Sequence, residues 1–541
     1  MEHPAIDDAR ISLSIHPTQS TIHDVLLDVV KQKAGARAAA DRHSELSYDE
    51  LTQRVDVCAK ALLRRGIRRG DRVAMLAPPG NDFLIVLHAA VSIGAIWLGV
   101  NPRYQRRDFE YVLGHSGPAI LIVASPFEDR DYCGELSPLL QPNVPLVSLG
   151  EATAGAISRE AFLAGAAETS DDALAAARAA VTPEDTAVIV YTSGTTGKPK
   201  GAMLSHRAIV SSAMCDAAWM GQEELARGLC AAPINHVAAI NNICMNVLAA
   251  GGTVIFYPRV DVPALAELSR RERPTFMVAS PTYFAMMLAN PTDVMDTLRT
   301  LKLIIFGGAA TPRSVLEKIA PCGARLVSIY GQTESCGIST RTDDTSDLDV
   351  LSITIGKAIP GAEVRVATSD GTVCARGETG EIQIKGPYVM SGYFQNEQAT
   401  ADAFTADGFL RTGDLGLVRE DGNLVISGRL KEMFKSGGYN IYPAEIEQAI
   451  CEHPAVAMAA VVAVPHPTYQ EVGFAFVEPE PGPTVNIDEL RDFLRQRIAN
   501  YKVPKYFSIE AELPKLTNTK IDKMALKARA HASQPRPASR D

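Results

Sequence analysis

Several things this 541-residue chain lacks narrow the field before anything it contains is considered. Its nine cysteines are scattered, odd in number and never spaced as C-x-x-C, which excludes a disulfide framework and the usual zinc spacings and reads as reduced thiols in a cytoplasmic protein. The N-terminus, MEHPAIDDAR, carries Glu2, Asp7 and Asp8 where an export signal needs positive charge and then an apolar run, so no export is expected. Positive charge is also short. Lys and Arg number 53 against 63 Asp and Glu, a net −10, which argues against nucleic acid or an anionic membrane as the main partner. No G-x-G-x-x-G occurs, no repeat period stands out, and only Phe83–Val100 approaches membrane-spanning length. His88, Ser92, Gly94 and Gly99 weaken that run as a span, so it reads as a buried helix ending near Gly94 and a core strand up to Asn101-Pro102.

What is present is ample core material, 46% hydrophobic against 21% charged residues, in helical stretches that alternate with short β-branched runs. The amphipathic spacing of Leu51–Arg64 predicts a helix and Arg72–Leu76 a strand. Further strands are expected at Ala119–Ala124, Ala187–Tyr191, Gly252–Tyr257, Thr275–Ala279, Leu301–Phe306 and Arg325–Ile329. The class is α/β. The Ala-rich stretch Ala152–Ala180 reads as a surface helix or connection. Composition changes after Gly380, and a βαβ-like stretch from Ile426 to Val477 suggests a smaller C-terminal unit before a frayed tail.

The most informative segment is Tyr191-Thr-Ser-Gly-Thr-Thr-Gly-Lys-Pro-Lys-Gly201, directly after an apolar strand. Gly194 and Gly197 free the backbone to wrap an anion. Thr192, Ser193, Thr195 and Thr196 offer hydroxyl donors, and Lys198 and Lys200 add positive charge. Pro199 follows Gly197-Lys198 where a Walker loop needs Ser or Thr, so this is a phosphate cradle of another kind.

That loop resembles the AMP-binding motif of the acyl-adenylate-forming superfamily, the acyl-CoA synthetases, carrier-protein adenylation domains and luciferases. Other motifs of the superfamily appear in its order: Phe306-Gly-Gly-Ala-Ala-Thr-Pro312, Tyr330-Gly-Gln-Thr-Glu334, Thr412-Gly-Asp414, Gly428-Arg-Leu-Lys431 with Lys435-Ser-Gly-Gly438, and Leu513-Pro-Lys-Leu-Thr-Asn-Thr-Lys520. The resemblance runs from about Ile22 to Lys527. It implies a large N-terminal domain of stacked α/β subdomains over residues 1–428, a small mobile C-terminal α/β domain over 429–530 and a disordered tail at 531–541.

The resemblance also assigns roles. ATP or AMP falls to Thr192, Ser193, Gly194, Thr195, Thr196, Lys200, Gly308, Ala309, Ala310, Tyr330, Gly331, Gln332, Thr333, Asp414, Arg429 and Lys520. A Mg²⁺ ion that neutralises ATP oxygens falls to Glu334 with Thr192. Two acceptor oxygens let Asp414 take both ribose hydroxyls, and Arg429 lies beside ribose and phosphate. Lys520 supports charge at the α-phosphate, so the catalytic set is Lys520, Glu334, Thr196 and Arg429. Thr519 stands where the superfamily commonly has Gly, a residue that relieves positive φ. His236, Ala239, Ile240 and Gly308 are expected at the acyl group, with Ile240 in the place of a gating Trp found in some long-chain members. Asn241 and Asn242 either bind a polar substituent or cap a helix. Ser436, Gly437 and Gly438 line the pantetheine path, and Lys431 is the hinge.

The implied activity is that of an AMP-forming acid–thiol ligase: ATP and an acid give acyl-AMP and pyrophosphate, and CoA then gives acyl-CoA and AMP. Medium- or long-chain fatty acids are the expected class because they are common, which would place the chain in lipid metabolism. Bulky apolar and aryl acids also fit. A carrier-protein loader and a non-catalytic adenylate binder are the alternatives, and homodimerisation is left open.

Overall fold

The computed structural model describes residues 16–150, 155–192, 198–257, 261–288, 291–480, 482, 484–515 and 521–533. Two large sheets dominate. One runs, in spatial order, Lys357–Ala358, Thr340–Arg341, Arg325–Tyr330, Leu303–Phe306, Phe276–Ala279, Arg227–Cys230, Thr253–Phe256, Arg37–Ala40 and Glu45–Ser47. Its middle, from Arg325–Tyr330 to Arg37–Ala40, is parallel. The other runs Gly392–Tyr393, Lys200–Ser205, Thr186–Thr192, Ile96–Gly99, Arg72–Leu76, Ile120–Val123, Leu146–Ser148 and Ile157–Ser158.

Helices Ile22–Lys33, Tyr48–Arg64, Asn81–Ser92 and His206–Met220 contribute side chains to one core that also takes residues from both sheets, such as Val73 and Val254. Tyr48–Arg64 starts at a capping box, Ser47 with Glu50, and turns Leu51, Val55, Cys58 and Leu62 inward at helical spacing. Asn81–Ser92 is buried on nearly every side, as its mostly apolar sequence requires, and Ile96–Gly99 follows as a core strand. The Phe83–Val100 run is therefore core, as expected. No helix among the described residues is long and apolar enough to cross a membrane. Burial holds the His88 imidazole down at about 4, so it sits in that core uncharged.

A four-stranded antiparallel sheet, Glu363–Ala367, Gly380–Lys385, Leu410–Val418 and Leu424–Arg429, follows. The last sheet joins Tyr439–Ile441, Phe434–Ser436, Gln470–Pro479, Val456–His466 and Tyr506–Ile509. Within Ile426–Val477 strand, helix and strand follow in the expected order, Phe434–Ser436 and Val456–His466 running parallel with Gln470–Pro479 between them. Helix Pro443–Cys451 leads into a long antiparallel hairpin, Val456–His466 against Gln470–Pro479. A second parallel connection follows, from Gln470–Pro479 through helix Ile487–Arg495 to Tyr506–Ile509. Two β-branched runs separated by only Pro467-Thr468-Tyr469 leave room for a turn and none for a crossover. Helix Lys523–Ser533 also extends three residues into the stretch read as tail.

All nine cysteines are free. The Ala-rich stretch forms two short helices, Arg159–Ala164 and Asp171–Ala179, capped by Ser158 and Ser170.

Candidate active site

Two strand ends meet here. Strand Arg325–Tyr330 ends in the turn Gly331–Gly337, and strands Thr186–Thr192 and Lys200–Ser205 form an antiparallel pair around the glycine-rich loop. Gly331 must be glycine, because a Cβ there would lie 1.5 Å from the Gly337 carbonyl oxygen. Gly337 has φ of +114°, and a Cβ on it would meet Asn242 Oδ1 at 2.0 Å. That folded-back turn holds Thr333–Ser335 as a single 3₁₀ turn, with the Ser335 hydroxyl accepting from the Gln332 N–H at 3.0 Å.

The first cluster surrounds Asp414, which is 5% exposed. Its Oδ2 accepts from the Tyr330 hydroxyl at 2.7 Å and from Gln332 Nε2 at 2.8 Å, and its Oδ1 pairs with Arg429 Nε at 3.0 Å. Gln332 Nε2 also donates to the Thr412 carbonyl at 2.9 Å. Asp414 and Arg429 face each other in the register of neighbouring strands, so the sheet itself brings them together. Burial, and then the Asp414 carboxylate, push the Tyr330 phenol well above its usual range, so it stays a donor. The Tyr330 ring packs with Val366, Ile382, Ile384 and Leu424.

The second cluster surrounds Glu334. Its Oε1 accepts from the Tyr393 hydroxyl at 2.8 Å and from Thr192 Oγ1 at 3.4 Å, while its backbone carbonyl accepts from the Met390 N–H at 2.8 Å. The Lys200 ammonium lies 5.0 Å from the centre of the Tyr393 ring. Lys198 goes elsewhere: its ammonium sits 5.6 Å from the centre of the Tyr111 ring, and the Tyr111 hydroxyl donates to the Pro199 carbonyl at 3.0 Å. One carboxylate and one hydroxyl make a hard, all-oxygen pair, the donor set that Mg²⁺ takes when substrate phosphates complete its shell. The residues present fit that ion.

The residues expected at the acyl group lie on two further segments. Residues Ala238–Met245 form a π-helix, a geometry that concentrates at functional sites. Ala239 and Ile240 are fully buried, His236 is half-buried, and the His236 Nδ1 accepts from the Ala238 N–H at 3.1 Å. Gly308, Ala309 and Ala310 are exposed beyond strand Leu303–Phe306. Asn241 is neither a helix cap nor free for a ligand through its amide nitrogen: Nδ2 donates to Ser212 Oγ and to the Cys336 carbonyl, both at 2.8 Å. It thereby ties the π-helix to the turn that carries Glu334.

Behind Asn241, the fully buried Asp216 accepts from Trp219 Nε1 at 2.9 Å and from Asn246 Nδ2 at 3.2 Å. Burial pushes its carboxyl up to about 7, the two donors and Arg341 opposing only in part.

Thr192, Lys200, Tyr330, Gln332, Glu334, Asp414 and Arg429 thus converge on one short stretch of chain, with Gly331 and Thr333 as its backbone. Ser193, Gly194, Thr195, Thr196 and Lys520 lie outside the described residues, as do Gly197 and Thr519. Lys515 and Ile521 pair as an antiparallel bridge on either side of residues 516–520. Ser436, Gly437 and Gly438 sit at a hairpin between Phe434–Ser436 and Tyr439–Ile441, with the Gly437 N–H donating to the Tyr469 carbonyl at 3.0 Å. Sequence reasoning missed Tyr393 and Asn241's tie, whose partners lie 59 and 95 positions away along the chain.

Residues 26–394 match the model of the AMP-binding enzyme family, and residues 445–520 match that of the AMP-binding enzyme C-terminal domain. An indoleacetate–CoA ligase of Aromatoleum aromaticum is 35% identical over 486 residues, 88% of this chain and 92% of the relative. A feruloyl-CoA synthase of an Amycolatopsis species is 33% identical over 507 residues, 93% of this chain and 98% of the relative. The ATP-bound structure of MatB from Rhodopseudomonas palustris has the same fold, with a TM-score of 0.83 at 29% identity over 94% of this chain and 99% of that one. With that coverage and the geometry of its motifs, the chain belongs to the AMP-binding, acyl-adenylate-forming enzyme family and is one of its AMP-forming acid–thiol ligases.

Proposed function

We propose that this ligase activates a bulky, ring-bearing and largely apolar carboxylic acid, and that it does so in two steps on one site. The observation that carries the reading is the pair of clusters at the two ends of Tyr330–Glu334: an acidic ribose seat at Asp414 and a hydroxyl–carboxylate–lysine seat for phosphates at Glu334. In the first step a carboxylate oxygen of the acid attacks the α-phosphorus of ATP, a P–O bond forms, and pyrophosphate leaves. Asp414 holds the ribose hydroxyls, Arg429 the adjoining oxygens, and Lys200 with the hydroxyls of the loop the phosphates. Lys520 supplies positive charge as the α-phosphate becomes more crowded with negative charge. Glu334 and Thr192 would hold Mg²⁺, which neutralises phosphate oxygens. In the second step the CoA thiolate attacks the acyl carbon, a C–S bond forms, and AMP leaves.

The acid class is supported by the relatives. Indoleacetate and ferulate each join an aromatic ring to a short carboxylate arm, which favours a ring-bearing acid over the long alkyl chain expected from frequency alone. Apolar Ala239 and Ile240 and the small residues Gly308 and Ala309 would suit a ring at the acyl group.

The small domain, from about residue 429, must present Lys520 in one step and Ser436–Gly438 in the other. A pivot at Lys431 is supported by what grips its neighbours. Arg429 is held by Asp414 on one side, and Glu432 pairs with Lys523 Nζ at 2.5 Å on the other, so Leu430 and Lys431 lie between two anchors. The Lys318–Glu480 ion pair at 3.2 Å is half-exposed and worth at most about 1 kcal/mol, so it would not resist the swing.

The test is thioester formation from CoA with a panel of arylacetic, cinnamic, fused-ring and C6–C16 fatty acids. The reading expects kcat/KM to be highest for a ring-bearing acid. Acyl-AMP without thioester would point to carrier loading, and no pyrophosphate with any acid would point to a binder.

A further inference from the structure

Tyr393 occupies a two-residue strand, Gly392–Tyr393, paired with Lys200–Ser205 so that Tyr393 faces Ala202 in register. From there it reaches two parts of the site at once. Its hydroxyl donates to Glu334 Oε1 at 2.8 Å, and its ring lies 5.0 Å from the Lys200 ammonium. The segment is itself pinned: the Tyr393 N–H donates to Thr400 Oγ1 at 2.9 Å, and the Met390 N–H donates to the Glu334 carbonyl at 2.8 Å. A carboxylate with one oxygen bonded to an anchored phenol loses most of its freedom to rotate, which aims the other oxygen. A cation over an aromatic face is likewise held in place without being neutralised.

We propose that Tyr393 is a positioning residue for the metal–nucleotide half of the reaction, orienting the Glu334 carboxylate through its hydroxyl and seating Lys200 on its ring. The proposal rests on the function argued above, and no covalent step passes through Tyr393. The phenol acts on the two groups that meet the triphosphate, whereas the acid pocket and the CoA hairpin lie beyond its contacts.

The experiment uses the full chain and two variants. Tyr393→Phe removes only the hydroxyl, and Tyr393→Leu removes the ring as well. Binding of Mn²⁺ is measured by electron paramagnetic resonance in the presence of α,β-methylene-ATP, so no turnover is needed. Tyr393→Phe should weaken Mn²⁺ by roughly 10-fold, the lower end for loss of an outer-shell partner. In pyrophosphate exchange it should raise the half-saturating Mg²⁺ concentration by a similar factor and leave KM for the acid within about 2-fold. Tyr393→Leu should weaken the nucleotide by about a further 2- to 5-fold through Lys200. Thioester formation from supplied acyl-AMP should be unchanged in both. In a Glu334→Gln background, Tyr393→Phe should add almost nothing, a non-additivity that general destabilisation would not produce. Unchanged or tighter Mn²⁺ binding in Tyr393→Phe overturns the proposal, as does full additivity in the cycle. If the parent enzyme itself shows no exchange with any acid, the proposed function fails first, and the two failures are told apart by that control.

Discussion

Replacing Asp414 by Asn keeps the side-chain volume and changes the acceptor count at the ribose seat. The carboxylate now takes three donors, from Tyr330, Gln332 and Arg429. An amide oxygen turned toward Tyr330 and Gln332 preserves those two bonds and leaves an NH₂ group against Arg429 Nε. The Arg429 side chain is 57% exposed, so water can solvate its guanidinium once the opposing charge is removed, and the fold should persist. The nucleotide loses more. Two ribose hydroxyls that donate to a charged acceptor gain about 1.5–3 kcal/mol each, against about 0.5–1.5 for a neutral one, so a net loss of about 2–3 kcal/mol is expected. That is roughly a 30- to 150-fold rise in KM for ATP. The assay is pyrophosphate exchange against ATP concentration, run beside a thermal melt and repeated with 2′-deoxy-ATP. The parent should discriminate between the two nucleotides, and Asp414→Asn should lose most of that discrimination. A KM within about 3-fold of the parent, with the melt unchanged, would remove Asp414 from the ribose.

Three further outcomes are expected. Lys520→Ala should slow adenylation by at least ~10²-fold, as loss of one preorganised charge does, while conversion of supplied acyl-AMP to thioester is spared; equal loss in both steps would contradict its role. Lys431→Pro, which fixes φ near −65°, should trap one domain arrangement, so that one half-reaction collapses while the other survives; proportionate loss of both rates in a folded protein would remove the hinge from Lys431. Asp216 keeps its proton to about pH 7 when folded and loses it near 3.9 when unfolded, so its burial favours the fold below about pH 4 and that benefit is lost as pH rises to about 7. The span corresponds to about 4 kcal/mol at most, and urea unfolding of Asp216→Asn should show a gain over the parent that is largest above pH 7 and vanishes near pH 4. A pH-independent difference would refute that reading.

The parallel strands were legible because short apolar runs such as Val73–Leu76 and Ile120–Val123, bounded by turns, have few other uses, and a buried helix such as Asn81–Ser92 declares itself by being apolar on nearly every side. The residues proposed for ATP were legible only as a set of motifs, since Asp414 or Glu334 alone would read as a turn or a solvated acid. What escaped was long-range. Gly392-Tyr393 has no periodicity to attract notice, and its meaning lies in a carboxylate on the turn that follows a strand of the other large sheet. Asn241 and Asn242 in an apolar stretch suggested a cap or a ligand contact, whereas Asn241 spends both of its donors inside the protein. In the small domain the strand-helix-strand order was readable from local pattern, but the hairpin partner Gln470–Pro479 inserted between the two parallel strands depended on the length of the turn after Val456–His466.

The central claim is that adenylation is complete on this chain before CoA takes part. The direct measurement is acid-dependent exchange of labelled pyrophosphate into ATP with Mg²⁺ present and CoA withheld, using the acid that the thioester panel ranks first. Exchange that requires the acid, disappears with Glu334→Ala and needs no CoA is the predicted result. Thioester formation with no exchange under any such condition would contradict the account.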